Sequence, residues 1–294
     1  MKKNRLFLFI IIMILGTTLY AQDKQQYNVM TFNIRMSGFS ERDGIHAWAN
    51  RKEAVIRMFN DQQPDFFGVQ EMLPDQQQYL RRHLRQYAMV GVGRDNGKKE
   101  GECMAVFYNT KNYKLKESRT FWLSETPDKV SRGWDGACKR TLTYAQLEDR
   151  RNGTVLYFFN THLDHIGRVA RRESVKLICH IIDSIRPNAK VPVILCGDMN
   201  SSIEDSIFLP VQDILLSPSR EIAPKTDHSE TYNAYGKTDK AFANNNDANV
   251  IDHFFTSPEV QLLELRTITT DYGVPYISDH YPVSILFTVG NCKR

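Results

Sequence analysis

The sequence predicts an α/β fold in a single domain, and three observations carry this prediction. Short apolar runs alternate with stretches of helical periodicity along most of the 294 residues, no segment is repeated, and no low-complexity linker separates two halves. After removal of a leader, roughly 270 residues remain, which is an ordinary length for one α/β domain. The chain is therefore long enough to bury a large core.

The first residues have the layout of a secretory signal peptide. Two lysines and an arginine precede an apolar run from Leu6 to Leu15, and a stretch of small residues ends at Ala21. We expect cleavage after Ala21, so that residues 1–21 are the signal peptide and residues 22–294 form one domain, secreted or periplasmic. The run is shorter than the roughly 20 residues that span a bilayer, so we expect no stable membrane insertion, with an uncleaved anchor as the alternative.

The charge of the mature chain is nearly balanced. The sequence has 38 Lys and Arg against 34 Asp and Glu, and loss of Lys2, Lys3 and Arg5 with the leader leaves 35 basic against 34 acidic residues. Charge alone therefore gives no reason to predict a nucleic-acid-binding surface.

The five cysteines lack the spacing of a disulfide framework. Cys179 and Cys196 lie in apolar runs and are predicted to be buried thiols. A bridge between Cys103 and Cys138 remains open, because an exported chain permits disulfides although this pattern does not require one.

In the first half of the chain, local patterns predict alternating strands and helices. Tyr27–Ile34 is a first strand, Arg51–Phe59 is an amphipathic helix that ends before Pro64, and Asp65–Gln70 is a second strand. Gln76–Leu84 has helical periodicity again. Three more strands follow, at Tyr87–Val92, Met104–Tyr108 and Tyr113–Trp122.

In the second half of the chain, local patterns again predict strands and helices. Thr141–Leu147 and Val155–Asn160 are predicted to be neighbouring strands, because a turn-forming Arg-Asn-Gly separates them. Val169–Ile185 is a long helix, and Val191–Cys196 is an apolar strand that leads into a glycine. The polar segment Asp227–Asn249 is predicted to be mostly surface loop. Three final strands are predicted at Val250–Phe255, Val260–Ile268 and Tyr281–Phe287.

Acidic, amide and histidine side chains repeatedly stand where an apolar strand ends. In α/β folds the loops at strand ends carry the functional groups, because a rigid sheet fixes what the loops expose. One such residue alone is typical of a turn or a helix cap. Six segments in the same topological position predict one shared site: MTFNIR with Asn33, FGVQE with Glu71, NTHLD with His162, GDMN with Asp198 and Asn200, VIDH with Asp252, and SDH with Asp279 and His280.

These residue types indicate metal-assisted phosphoryl transfer. Carboxylate and amide oxygens such as those of Glu71 and Asn33 suit Mg²⁺, with Mn²⁺ or Ca²⁺ as alternatives, whereas a zinc site would draw more on His or Cys. Histidines beside such a metal bind phosphate oxygens or move protons near neutral pH, and each needs an acidic partner that fixes its tautomer.

The ordered set TFNIR, GVQE, NTHLD, GDMN, IDHFF and SDHYPV resembles the endonuclease/exonuclease/phosphatase superfamily, which includes pancreatic-type deoxyribonuclease, base-excision endonucleases, neutral sphingomyelinases and inositol polyphosphate phosphatases. The resemblance runs from Asn28 to about Leu286. The segment from Phe121 to Ala145 resembles a secreted bacterial subgroup. The implied fold is a four-layer α/β/β/α sandwich, in which two packed mixed β-sheets are flanked by helices and the site lies at one common edge.

The resemblance also implies roles at the metal and at the attacking water. Asn33 and Glu71 match the metal-binding pair, and Asp279 is a metal or histidine partner. Asp198 matches the aspartate that orients or deprotonates the attacking water. Asn200 matches the amide that binds a phosphate oxygen.

Further roles concern the scissile phosphate. His162 and His280 match the two histidines that flank it, Asp252 matches the aspartate that supports His280, and Glu102 resembles the acid paired with His162. Arg140 matches the family's strand arginine that faces the phosphate, and its planar guanidinium is suited to bidentate donation to phosphate oxygens. The alternative is that Arg140 is a surface residue of its strand.

Two features bear on the substrate. Arg171, in the long helix, either contacts an anionic group of the substrate or faces solvent. Where nucleases of the family offer a tyrosine ahead of Glu102, this chain has Lys98, Lys99 and Glu100, which weakens the expectation of DNA cleavage.

The expected function is metal-dependent hydrolysis of a phosphodiester or phosphomonoester by in-line attack of water. Nucleic acid, a lipid head group, an inositol phosphate and a phosphorylated glycan remain open as substrates. A non-catalytic binding protein would lack one or more of the motif residues, and all are present. An enzyme acting on a lipid surface would need an apolar wedge, which the polar segment Asp227–Asn249 does not offer.

Overall fold

The computed structural model describes residues 24–188, 190–237 and 249–290. The expected signal peptide, residues 1–21, lies outside the described residues, and so does Cys292. Within the described ranges, no helix has the length and apolar character needed to cross a membrane.

The strands and helices of the described residues alternate along the chain. The strands are β1 (Gln26–Asn33), β2 (Phe66–Met72), β3 (Tyr87–Val90), β4 (Cys103–Asn109), β5 (Tyr113–Trp122), β6 (Thr141–Asp149), β7 (Val155–His162), β8 (Val193–Asp198), β9 (Ser217–Pro218), β10 (Asp252–Thr256), β11 (Val260–Thr267) and β12 (Val283–Val289). The helices are α1 (Ser40–Asp43), α2 (Trp48–Gln62), α3 (Pro74–His83), α4 (Arg168–Ile185), α5 (Leu209–Asp213) and α6 (Ser219–Ile222).

The strands form two mixed sheets of six. The first has the order β11-β12-β1-β2-β4-β3 and the second the order β5-β6-β7-β8-β10-β9. At the centre of each sheet one pair is parallel, β1 with β2 and β7 with β8, whereas the neighbouring pairs are antiparallel. The carboxyl ends of the parallel strands therefore lie at the same edge of their sheet.

Successive side chains of the central strands point to opposite faces of their sheet, and together they build three apolar layers. In β7, Leu156 and Phe158 pack between the two sheets, whereas Tyr157 and Phe159 pack under helix α4. Strand β1 does the same, since Val29 joins the layer between the sheets and the next residue joins the layer under α2 and α3. Both faces of each sheet are thus covered, and the expected α/β/β/α sandwich is confirmed.

The predicted elements are present, with shifted ends. Strand β8 begins two residues later than predicted and runs on to Asp198, so its last residue is a candidate site residue. Helix α2 extends the predicted helix by three residues at each end and stops at Gln63, whose φ of 43° is left-handed. In the described part of the predicted loop, residues 227–237 and 249, the regular elements are a 3₁₀ turn at Ala234–Gly236 and an isolated antiparallel bridge from Tyr232 to His280. The sequence did not predict the short elements α1, α5, α6 and β9.

The four cysteines in the described part of the chain are free thiols. Cys103 and Cys138 are free thiols, so the bridge between them is not formed. Cys179 and Cys196 are also free, and both are buried, as predicted.

A buried polar network joins the two sheets. The amide of Asn160 in β7 donates to the carbonyl oxygens of Val69 (3.0 Å) and Ala105 (2.8 Å) in the other sheet, and its oxygen accepts from Gln70 at 2.6 Å. A Cβ atom at Gly68 would lie 2.7 Å from the Asn160 carboxamide carbon. Glycine at this position therefore lets the sheets approach closely enough for these bonds.

We expect Gly68→Ala to lower the free energy of unfolding by about 1 to 3 kcal/mol, because the new methyl group must displace a carboxamide that is fixed by three hydrogen bonds. Chemical denaturation measures the change. Gly38→Ala is the matched control, since its Cβ would meet atoms no closer than 3.5 Å. If Gly68→Ala and Gly38→Ala had the same free energy of unfolding, the close approach of the two sheets at Gly68 would not have this role.

Candidate active site

Side chains from both sheets meet at the edge where β1, β2, β7 and β8 end. The amide nitrogen of Asn33, the last residue of β1, donates to Glu71 Oε1 at 3.0 Å and to Asp198 Oδ2 at 2.9 Å. The oxygen of that amide accepts from the Arg35 N–H at 3.0 Å. Asn33 thus bridges a carboxylate of each sheet with its amide nitrogen, and its oxygen, the atom that its predicted metal role requires, accepts this one backbone hydrogen bond.

A bulge in β2 aims Glu71 into the site. The pairing of β2 with β4 shifts register between Val69 and Met72, and Glu71 has a left-handed φ of 61°. A bulge of this kind turns a side chain away from the alternation of its strand, at a cost in backbone strain. The half-buried carboxylate of Glu71 also accepts from the Met36 N–H at 3.1 Å.

Strand register places three candidate residues side by side. Across β7, β8 and β10, His162 lies opposite Asp198, and Asp198 lies opposite Asp252. The preceding residue, Gly197, has a φ of 145°, and a Cβ there would lie 1.9 Å from the Thr161 carbonyl oxygen. Only glycine lets β8 run this close to β7, so Gly197 sets the position of Asp198.

His280 is held as a cation. Its Nδ1 donates to Asp252 Oδ2 at 2.8 Å, and its Nε2 lies 3.6 Å from Asp198 Oδ2. Burial opposes a charge on this imidazole, but Asp252 and Asp198 outweigh it and raise the pKa of His280 to about 10. The hydroxyl of Ser278 ties this segment to β1 by donating to the Asn33 carbonyl at 2.7 Å.

His162, in contrast, is neutral. Burial first, and then the nearby cations Arg140 and Arg94, hold the pKa of His162 well below its usual value. The amide nitrogen of Asn200, whose φ is 47°, lies 2.9 Å from His162 Nε2, and Asp198 Oδ2 lies 3.4 Å from the same nitrogen. The two histidines therefore present opposite protonation states to the same place.

The expected pairing of Glu102 with His162 is not formed. Glu102 instead makes a two-pronged ion pair with Arg94, at 2.6 and 2.8 Å, and His162 Nδ1 has no hydrogen-bond partner among the described residues. A guanidinium offers two parallel donors to a carboxylate, which an imidazole cannot match. Burial raises the pKa of Glu102 to about 7, although Arg94 opposes this shift.

Asp279 has a cationic partner that the sequence analysis did not name. Arg35 Nη1 lies 3.3 Å from Asp279 Oδ2, while Nε and Nη2 of the same guanidinium bind Asp43 at 3.2 and 3.0 Å. Burial raises the pKa of Asp279, partly offset by His280 and Arg35. Asp279 thus lies beside the site, engaged with Arg35.

The two remaining arginine candidates converge on Asp164. Arg140 is buried, with Nε 3.4 Å from Asp164 Oδ2 and Nη2 2.9 Å from His165 Nδ1. The surface-residue alternative for Arg140 is therefore wrong. Arg171 is half-buried and donates to the Asp164 carbonyl at 2.8 Å, so it braces the loop after β7.

The site also contains residues that the sequence analysis missed. Arg35 is part of the TFNIR motif, so its position in the motif could have suggested it. Arg94 has no comparable signal, because its partner Glu102 follows across a turn. Tyr232 lies in the predicted surface loop, yet its ring packs edge-on against His280 with centroids 5.0 Å apart.

One set of atoms suits a hard cation. Glu71, His162 and Asp198 place ligand atoms within 4.8 Å of one another, and so do Asp198, Asp252 and His280. The second set is satisfied internally, because a protonated His280 cannot bind a metal and already neutralises Asp252. The first set offers two carboxylates and a neutral imidazole, which is a donor set that divalent cations accept.

The family model for "Endonuclease/Exonuclease/phosphatase family" matches residues 30–280, which include every motif residue from Asn33 to His280. The chain belongs to this family. Family membership makes it a hydrolase that acts on phosphate esters. Enzymes of this family typically depend on divalent metals, and the cluster at Glu71 is in keeping with that.

Several proteins are similar to this chain. A family protein of Bacteroides vulgatus is 31% identical, with a TM-score of 0.83, over 91% of this chain and 100% of that one. A mannosyl-6-phosphatase of Bacteroides thetaiotaomicron is 31% identical, with a TM-score of 0.81, over 88% of this chain and 98% of that one. An uncharacterized protein of Acanthamoeba polyphaga mimivirus is 23% identical over 88% of this chain and 99% of its own length.

We expect Asp252→Asn to lower the pKa of His280 by about 1 to 3, because it removes the closest opposite charge. Imidazole NMR titration measures this, with Asp128→Asn, an exposed aspartate, as control. The folded pKa lies above the ordinary 6.5, so the charged His280 stabilises the fold below pH 6.5, and this contribution is lost as the pH rises through about 10. An unchanged pKa in the variant would contradict the assigned cause.

Proposed function

We propose that this protein is a divalent-metal-dependent phosphomonoesterase that removes phosphate from a sugar or glycan. The observation that carries the proposal is the convergence of Glu71, Asp198 and a neutral His162 beside a cationic His280. The similarity to a mannosyl-6-phosphatase over 88% of this chain supports the substrate class. The nearly balanced charge of the mature chain favours a small substrate over nucleic acid.

Glu71 is the carboxylate that would hold the cation beside Asp198, with Mg²⁺ as the preferred ion and Mn²⁺ or Ca²⁺ as alternatives. When bound, the ion neutralises charge on the phosphate oxygens. Asn33 donates to both carboxylates and keeps them in place across the gap between the sheets.

The protein's own groups divide the remaining work. Asp198 accepts a proton from the attacking water, and burial, which raises its pKa to about 7, makes it a better base than an exposed aspartate. The water oxygen then forms a bond to phosphorus as the ester P–O bond on the opposite side breaks, and the departing sugar oxygen takes up a proton from solvent water to leave as an alcohol. His280, as a cation, and Arg140 stabilise the negative charge of the transition state. Asn200, whose amide nitrogen contacts His162 Nε2 and donates to the Leu163 carbonyl, holds His162 in place.

We expect the mature protein with Mg²⁺ to hydrolyse p-nitrophenyl phosphate and mannose 6-phosphate, and EDTA to abolish both activities. Phosphate release measures the activity. Bis-p-nitrophenyl phosphate and plasmid DNA test for diesterase and nuclease activity. Cleavage of the diesters without cleavage of the monoesters would overturn the proposal in favour of a phosphodiesterase.

We expect Glu71→Gln and Asp198→Asn each to lower kcat by about a hundredfold or more, since each removes a charge that acts on the reacting phosphate. Circular dichroism establishes that the variants are folded. Glu125→Gln, at an exposed glutamate, is the matched control and should retain full activity. Near-normal turnover of either site variant would defeat these assignments.

We also propose that the protein is exported. The support is the pattern of residues 1–21, with cleavage after Ala21. Mass spectrometry of the protein recovered from the periplasm or the medium of a bacterial host should show a chain that begins at Gln22. An intact chain retained in the membrane fraction would instead indicate an uncleaved anchor.

A further inference from the structure

A shallow pocket of about 350 Å³ lies beside Arg140 and has no role in the chemistry above. One wall comes from the turn between β3 and β4, and the other comes from the segment before β6. The lining residues are Arg94, Asp95, Arg132, Ala137, Cys138 and Lys139. Lys139 links the two walls, since its Nζ donates to the Asp95 carbonyl at 3.1 Å.

The pocket adjoins the catalytic centre directly. Asp164 Oδ2 accepts from the Cys138 N–H of the pocket wall at 3.1 Å and lies 3.4 Å from Arg140 Nε. One carboxylate oxygen therefore fixes both the pocket wall and the arginine that faces the phosphate. On the other wall, Arg94 is near enough to His162 to lower the pKa of that imidazole.

The pocket carries a surplus of positive charge. Arg94 is neutralised by its ion pair with Glu102. Lys139 and Asp95 lie 3.4 Å apart and are both partly exposed, so their attraction is weak and easily exchanged. Arg132 is exposed and pairs with no acid in the part of the chain that the structure describes. Two cationic side chains are thus available to an incoming anion.

The same pocket is unsuited to a metal ion, although Cys138, Asp164 and His165 place ligand atoms within 4.8 Å of one another. The Asp164 oxygens already accept from the N–H groups of Cys138, Ile166 and Gly167. Arg140 Nη2 donates to His165 Nδ1 at 2.9 Å, so this nitrogen is already engaged. The positive charge of the Arg140 guanidinium would also repel a cation.

We propose that this pocket binds a second phosphate group of the substrate, held by Arg132 and Lys139, while the scissile phosphate lies against Arg140, His162 and His280. This inference rests on the proposed function and refines it: the substrate is a sugar that carries two phosphate groups. A dianionic group suits a pair of flexible cations at the surface, because it can pair with Arg132 and exchange for Asp95 at Lys139, whereas a neutral sugar would gain no charge-assisted contact from either side chain.

The test compares kcat/KM for glucose 1,6-bisphosphate with kcat/KM for glucose 6-phosphate. The wild-type protein should prefer the bisphosphate by about tenfold or more, which is the gain from one charge-assisted contact. Arg132→Gln combined with Lys139→Gln should bring the ratio close to one. Lys129→Gln, which removes an exposed charge from the same segment outside the pocket, should keep the preference.

A ratio close to one in the wild-type protein, or a preference that survives the double substitution, would overturn this inference while p-nitrophenyl phosphate is still hydrolysed. If the wild-type protein hydrolyses no phosphomonoester, the proposed function fails, and this inference fails with it. If the double substitution instead impairs only the cleavage of a 5′-phosphorylated oligonucleotide, the pocket serves nucleic acid and the assignment to a sugar is wrong.

Discussion

The register between β7, β8 and β10 is the constraint on which the rest of the site depends. It places His162, Asp198 and Asp252 in one row across three strands, so that Asp198 and the acidic partner of His280 lie side by side. Gly197 makes this register possible, because any side chain there would collide with the backbone of β7. The first sheet completes the site from the opposite side with Asn33 and Glu71, and the polar network around Asn160 keeps the two sheets at the required separation.

Burial gives this arrangement its chemistry. A buried carboxylate that has no full counter-charge holds its proton more tightly, and a buried imidazole gives its proton up, unless a fixed opposite charge intervenes. His280 has such a charge in Asp252, whereas for His162 burial and then the nearby cations Arg140 and Arg94 prevail, so two residues of the same type acquire different protonation states. The side of the site formed by the two histidines is consequently positive or neutral, and the side around Glu71 is negative. A divalent cation and a phosphate group complement these two sides.

The sequence predicts the parts of the fold that local periodicity controls. Strands such as β7 and β8 are buried on both faces and are therefore continuously apolar, and their ends identify His162 and Asp198. Partnerships between distant segments are different, because no local pattern records them. The ion pair of Arg94 with Glu102 displaces the expected bond to His162, and Asp135 binds the first N–H groups of α4 from a loop more than thirty residues earlier. The bulge that aims Glu71 depends on pairing with β4. These features follow from tertiary packing and not from propensity.

We propose that groups from both sheets hold one cation against one phosphate. A crystal structure of the protein with Mn²⁺ and inorganic phosphate tests it most directly, because anomalous scattering locates the manganese independently of any assumed role. The account predicts a single strong anomalous peak in contact with the Glu71 carboxylate, and a phosphate between that ion and the imidazoles of His162 and His280. Manganese and phosphate bound only elsewhere, with the groups around Glu71 left in contact with water, would contradict it.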